Sequence, residues 1–281
     1  MTYLDVIVPG PWWNALTYIY KEDDIPPSGS RVRVPVRNTE RVGFVSGVAD
    51  DGVRLQDDIE YKEVTETLDN ESVFGGNLWN LALWAGHYFM CGAGEVLKVI
   101  SPKELLNGDP VTRSVNACGE NEFGKRRAFS ESECYIPYDS ERLDFYINRL
   151  MELEEGCTAL VLFPECSNAK NFYGLLPDKM KDNALLWKSK GTKGFWRSWQ
   201  DVHDGSVKFV IGGPDAVYAP FPDVSLIIVE DEANPAYVPV RFPNLPARSL
   251  AGKLACISES ELILGGRLPS AKTYSRKKGQ M

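Results

Sequence analysis

The strongest hint of chemistry in this 281-residue chain is a cluster of acids at the end of an aliphatic run. Leu226-Ile227-Ile228-Val229 is followed at once by Glu230, Asp231 and Glu232. Four aliphatic residues read as a buried strand. Acids at the carboxyl edge of such a strand are what nucleotide-hydrolysing folds use to hold magnesium and polarise water. The same pattern also arises wherever a strand runs into a solvated acidic turn. As metal ligands the three acids suit nucleotide or phosphodiester chemistry, but neither a convergent histidine nor a recognisable nucleophile accompanies them.

A second group is basic or aromatic. Arg31 and Arg33 alternate with valines, so both project from one strand face, towards either phosphate or solvent. Trp12 and Trp13 follow Pro11 and offer either an aromatic platform or packing surface. Trp79 and Trp84 fall on a helical stripe and read as core. The tail Lys272, Arg276, Lys277, Lys278 is either a nonspecific DNA contact or a frayed basic terminus. The six cysteines (Cys91, Cys118, Cys134, Cys157, Cys166 and Cys256) are too scattered for paired zinc ligands, and only His87 and His203 accompany them. They read as reduced, mostly buried thiols, with no zinc expected.

The elements that must position these groups fall into two styles. Residues 1–70 read as short strands. Leu4 to Val8, Leu16 to Tyr20, Arg31 to Val36 and Arg41 to Val45 are punctuated by Pro26-Pro27, Gly29 and Asp50-Asp51-Gly52, a pattern that suits a small barrel or sandwich. After Asp69 a helical stripe runs through Leu78, Leu81, Trp84 and Tyr88, with Asn77 as the expected N-cap, and a shorter helix follows Gly92. Residues 106–133 are polar and aperiodic and read as a linker. From 134 onward a helix over Glu141–Glu155 and strands at Ala159–Phe163, Val207–Ile211, Leu226–Val229 and Leu262–Leu264 alternate, as in a mostly parallel sheet. Gly212-Gly213 reads as a turn rather than a phosphate cradle, since no helix opening with Lys-Ser/Thr follows it.

Composition is that of an ordinary soluble protein, 43% hydrophobic and 25% charged. No stretch approaches the roughly 18 apolar residues of a membrane span, and the opening MTYLDVIVPGPWW lacks the features of a secretory signal. The expected location is the cytoplasm, with no membrane partner. The net charge is −8, of which residues 1–105 carry −7 and residues 106–281 carry −1. Phosphate binding must then be local rather than a property of the whole surface.

The order of motifs resembles the PriA helicase family. Phe163-Pro164-Glu165, Gly212 to Phe221, Glu230-Asp231-Glu232, Ala247-Arg248-Ser249-Leu250-Ala251 and Gly265 to Ser270 follow one another like that family's VPE strand, IGTRSA turn, DEEH box, YHARDLA helix start and GSATPS turn. Earlier, Pro9-Gly10-Pro11, Tyr18, Gly29 to Pro35, Arg41-Val42-Gly43, Lys62, Leu83-Trp84-Ala85 and Pro102 resemble its opening barrel, which binds a DNA 3′ end at a fork. The resemblance covers most of the chain. It implies a barrel-like 3′-DNA-binding domain over 1–105, the linker, and one degenerate RecA-like lobe of the P-loop class over 134–281.

The departures imply lost catalysis. Where the family has GVTGSGKT, this chain reads Ile136-Pro137-Tyr138-Asp139-Ser140-Glu141-Arg142-Leu143. No glycine remains, Pro137 lacks an amide donor, Asp139 and Glu141 repel phosphate, Arg142 stands in the lysine's place and Leu143 cannot ligate metal. The DEEH histidine is Ala233, and the arginine of the IGTRSA turn is Pro214. The family's second motor lobe, cysteine-rich module and winged helix have no counterpart in these residues. Around the terminal nucleotide, the family's phenylalanine, aspartate, glycine and lysine correspond here to Leu16, Thr17, Arg37 and Lys62. Leu16 packs without a π-face, Thr17 hydrogen-bonds a 3′-hydroxyl more weakly than a carboxylate does, and Arg37 either meets phosphate or fills the pocket. The expectation is a protein of replication restart and primosome assembly that binds forked or 3′-ended DNA without ATP-driven unwinding, with no cofactor and no catalytic residues. The alternatives are a protein–protein scaffold that no longer binds DNA and, third, residual ATP-dependent helicase activity.

Overall fold

Alternation of apolar and polar residues builds the first sheet. The computed structural model describes residues 2–49, 60–111 and 127–278, with side chains to residue 276. The chain divides into two compact units, Met1–Thr112 and Arg113–Met281.

In the first unit, strands β1 (Thr2–Ile7), β2 (Leu16–Tyr20), β3 (Arg31–Val36), β4 (Thr39–Val48) and β5 (Glu66–Thr67) form an antiparallel sheet of order β2-β1-β4-β3-β5. The strand side chains that point inward, Leu4, Val6, Tyr18, Tyr20, Val32, Val34 and Val45, make one apolar cluster. The segment before β5 bonds strands on both flanks. The Ile19 amide donates to the Lys62 carbonyl and the Val64 amide to the Ile19 carbonyl, while the Thr65 amide donates to Arg33. Helices α1 (Gly75–Tyr88), α2 (Ala93–Ile100) and α3 (Lys103–Asn107) follow. Helix α1 starts after Phe74, which makes no side-chain cap. Asn77 therefore lies inside the first turn and is not the N-cap expected of it. Trp79 is buried as expected, whereas Trp84 is only half-buried and stacks on the exposed Tyr88.

The second unit holds a six-stranded parallel sheet. Its elements are β6 (Ser130–Tyr135), α4 (Asp139–Met151), β7 (Ala159–Leu162), α5 (Cys166–Leu175), α6 (Asp178–Lys181), β8 (Ala184–Leu186), α7 (Phe195–His203), β9 (Phe209–Gly212), β10 (Leu226–Val229), α8 (Ala247–Ile257), β11 (Glu261–Gly266) and α9 (Ala271–Lys278). The order is β6-β11-β10-β7-β9-β8. Every residue of β7, β9 and β10 is buried, which is why these strands read as unbroken apolar runs.

The expected linker over 106–133 is shorter at both ends. Residues 106–107 close α3 and residues 130–133 belong to β6, while 112–126 lie outside the described residues. Helix α4 begins two residues before its expected start and ends at Met151 rather than Glu155. Of the cysteines, Cys91 and Cys134 are buried but Cys166 and Cys256 are exposed, so the thiols are not mostly buried; Cys118 lies outside the described residues.

Candidate nucleic-acid interface

The first unit carries a cavity of about 860 Å³. Four of the residues singled out in the sequence, Leu16, Thr17, Arg37 and Lys62, line it together. Leu16 and Thr17 come from β2, Arg37 from the two-residue turn between β3 and β4, and Lys62 from the segment before β5. Arg37 holds a left-handed backbone, φ 54°, a conformation that costs a side chain with a Cβ about 1–2 kcal/mol and costs glycine nothing comparable. Its carbonyl accepts a 3.0 Å hydrogen bond from Lys62 Nζ, which fixes one cation at the cavity rim.

Trp12 also lines the cavity. Arg41 lies over its ring, 5.4 Å from the centroid, a cation–π distance. Asp5 is among the cavity residues that escaped sequence reasoning. Asp5 on β1 faces Thr17 on β2 in register, and Thr17 Oγ1 donates to Asp5 Oδ1 at 2.8 Å. Asp5 is 9% exposed. The available signal was a lone acid within an otherwise apolar strand.

Arg31 and Arg33 are not part of this constellation, and Arg31 is not a surface residue. It is 1% exposed. Its guanidinium grips Asp69 through Nε (2.6 Å) and Nη2 (3.0 Å), and its Nη1 donates to the carbonyls of Leu105 and Asp109. The sheet edge and α3 are thus tied through one buried cation. This corrects the expectation of a phosphate contact, because all this donor capacity is spent inside the fold. Arg33 forms a cross-strand ion pair with Glu66 at 2.9 Å. In the tail, Arg276 pairs with Glu131.

In the second unit the acids at the end of β10 do collect partners, but structural ones. Glu230 is 6% exposed and Arg142 3%. Arg142 Nε reaches both Glu230 oxygens at 2.9 Å, its Nη2 reaches Glu230 Oε1 at 2.5 Å and Asp139 at 2.9 Å, and Nη1 donates to the Ile136 carbonyl. Tyr146 Oη donates to Glu230 Oε2 at 2.7 Å. Burial, reinforced by the Glu230 charge, pushes the Tyr146 hydroxyl far above its ordinary range, so it remains a donor. A Cβ on Gly265 would sit 1.6 Å from Tyr146 Oη, so only glycine permits the network. Arg142 is therefore locked onto Glu230 inside the fold.

Glu232 is similarly occupied. It accepts from Arg248 Nε (2.9 Å), the Ser270 amide (2.6 Å), Thr273 Oγ1 (2.9 Å) and Tyr135 Oη (3.2 Å). Burial alone would raise its pKa, but the Ser270 amide, Arg248 and Thr273 together hold it below the ordinary carboxylate value. Asp231 adopts a left-handed backbone, φ 50°, and accepts from Asn234 Nδ2 at 2.7 Å. Among the described residues no group of three or more His, Cys, Asp or Glu is placed to hold a metal ion.

Residues 5–102, which include the cavity, match the family model of a 3′DNA-binding domain (3′BD). The chain is similar over 269 residues to the replication restart protein PriA of Helicobacter pylori (strain ATCC 700392 / 26695), at 26% identity, covering 93% of this chain and 42% of that protein. The PriA of Rickettsia felis is 20% identical over 287 residues, 97% of this chain and 44% of that protein. The PriA of Bacillus subtilis (strain 168) is 25% identical over 139 residues, 49% of this chain and 17% of that protein. Residues 5–102 thus match the 3′DNA-binding domain family, and the chain is similar to PriA proteins along nearly its whole length while spanning less than half the length of these curated relatives.

Proposed function

We propose that this protein binds the 3′ end of branched DNA through the cavity of its first unit and serves replication restart without ATP-driven unwinding. The observation that carries the reading is the convergence of Leu16, Thr17, Arg37 and Lys62 on one cavity within the segment matched to the 3′DNA-binding domain. The bonding of residues 62–65 to both β2 and β3 supports reading the first sheet as a barrel. The all-parallel sheet of the second unit supports reading it as a RecA-like lobe. Its nucleotide site is proposed to be degenerate, because Arg142 and Glu230 neutralise each other where phosphate and magnesium would bind. The role is then a noncatalytic one, marking a fork for primosome or replication proteins.

Fluorescence anisotropy with forked DNA at low and moderate salt tests this. Binding that weakens with salt and falls several-fold in Lys62→Ala is expected, about the effect of losing one charged contact. Undetectable binding at low salt refutes it. A second reading, an interaction scaffold without DNA binding, is favoured by the −7 charge of residues 1–105 and by the exposed Val238, Val240 and Phe242. Capture of a protein partner by a DNA-binding-null chain would support that alternative. DNA-stimulated ATP hydrolysis would refute the noncatalytic reading.

A further inference from the structure

The Asp5–Thr17 pair does more than join two strands. A hydroxyl has one proton and two lone pairs. Thr17 commits its proton to Asp5 Oδ1 at 2.8 Å, so the oxygen left to the cavity is an acceptor only. The carboxylate behind it raises that oxygen's electron density, since hydrogen bonds in a chain polarise one another. A ligand group at Thr17 must then donate a proton. A terminal hydroxyl does so, whereas a terminal phosphate brings acceptor oxygens and negative charge towards a carboxylate.

The backbone holds Asp5 in place for this. Asp5 and Thr17 are direct cross-strand partners, so their side chains share one face of the sheet. On the other flank Asp5 is opposite Gly47, and the register of β1 against β4 shifts between Asp5 and Val6. Bulges of this kind re-aim side chains beside functional sites. A Cβ on Gly47 would meet nothing within 4 Å, so the strand next to Asp5 contributes no side chain and leaves open space. At the rim, Lys62 is anchored to the Arg37 carbonyl, on a different wall of the same cavity. The cavity thus presents an acceptor at Thr17 and the cations Arg37 and Lys62, with Glu60 as a further acid in its lining, an arrangement that suits a hydroxyl-terminated nucleotide whose own phosphodiester lies towards the cations.

We infer that Asp5, acting through Thr17, is the specificity-determining residue of the cavity, selecting a free terminal hydroxyl against a terminal phosphate. This rests on the proposed DNA-end binding and adds one residue to it, Asp5. Asp5 is a positioning residue: it touches Thr17, and Thr17 touches the ligand.

The test compares three forked DNAs, ending at the junction in a 3′-hydroxyl, a 3′-deoxy or a 3′-phosphate, each titrated against the full chain by anisotropy. The readout is the ratio of affinities within one variant, which general damage to the fold does not mimic. The native chain is expected to favour the hydroxyl over both other ends by about tenfold, as for a hydrogen bond to a charge-polarised acceptor. In Asp5→Asn the new amide can donate to Thr17 and return its proton to the cavity, so the hydroxyl preference is expected to fall to about twofold or less. Thr17→Val should remove the preference and Thr17→Ser should keep it. An undiminished hydroxyl preference in Asp5→Asn overturns the inference while leaving DNA-end binding intact. Equal binding of all three ends by the native chain does the same. Failure to bind any of the three overturns the DNA-end reading itself, and the inference with it.

Discussion

Arg142→Ala isolates what the buried Arg142–Glu230 pair does. The substitution removes the guanidinium that contacts both Glu230 oxygens, Asp139 and the Ile136 carbonyl, and leaves Glu230 buried with its charge uncompensated. Breaking a buried ion pair from one side costs about 3–5 kcal/mol. For a unit the size of residues 113–281, at roughly 2–4 °C per kcal/mol, the melting transition should fall by about 6–20 °C. Replacing both partners, as Arg142→Met with Glu230→Gln, leaves no buried charge and should recover much of that loss. Thermal unfolding followed by circular dichroism, with and without MgATP, reads the difference. A structural pair predicts the same drop in both conditions and no protection of the native chain by nucleotide, since only a ligand that binds the folded state raises its stability. A loss below about 1 kcal/mol, the range of an exposed pair, would falsify the buried-pair reasoning. So would a double variant no better than the single one.

Arg31→Ala should destabilise the first unit by a similar 3–5 kcal/mol, because Asp69 would lose its bidentate partner. The salt dependence of DNA binding, measured below the melting temperature, should be unchanged; a shallower salt slope would restore Arg31 as a phosphate contact. Glu232 should make the second unit acid-sensitive. Its pKa is lowered in the folded state, so its stabilisation is complete above the ordinary carboxylate value of about 4.3 and is lost as pH falls through the folded value. Melts from pH 7 to pH 2 should show the gap between the native chain and Glu232→Gln closing on the acid side, and a gap of constant size would contradict this.

Local patterns carried much of the architecture. β2, β3 and β10 span the residues expected from their apolar rhythm, because period-2 alternation and continuous aliphatic runs are properties of the strand itself. β6 was illegible: Ser130-Glu131-Ser132-Glu133 is polar, and as an edge strand most of it stays exposed. Its membership comes from pairing with β11, more than a hundred residues away, which no local window contains. Arg31 was misjudged for a related reason. Alternation says which face a side chain takes, but not that α3 closes over that face and supplies the Leu105 carbonyl. The cavity residues were legible from family resemblance, yet Asp5 was not, because its place beside Thr17 exists only once β1 and β2 are in register.

The position of β6 has a consequence for how the protein is made. β6 is the first strand of its sheet to be synthesised, and β11, its sole neighbour in the order β6-β11-β10-β7-β9-β8, is the last. Such distant pairing carries a large loop-closure cost and slows folding. On the ribosome, residues 130–135 must wait unpaired until almost the entire unit has emerged. Their serines and glutamates keep the waiting strand soluble, since charge and polarity protect an unpaired edge against association. A nascent chain stopped before Glu261 should therefore hold β7, β9 and β10 together while its first strand remains open to protease.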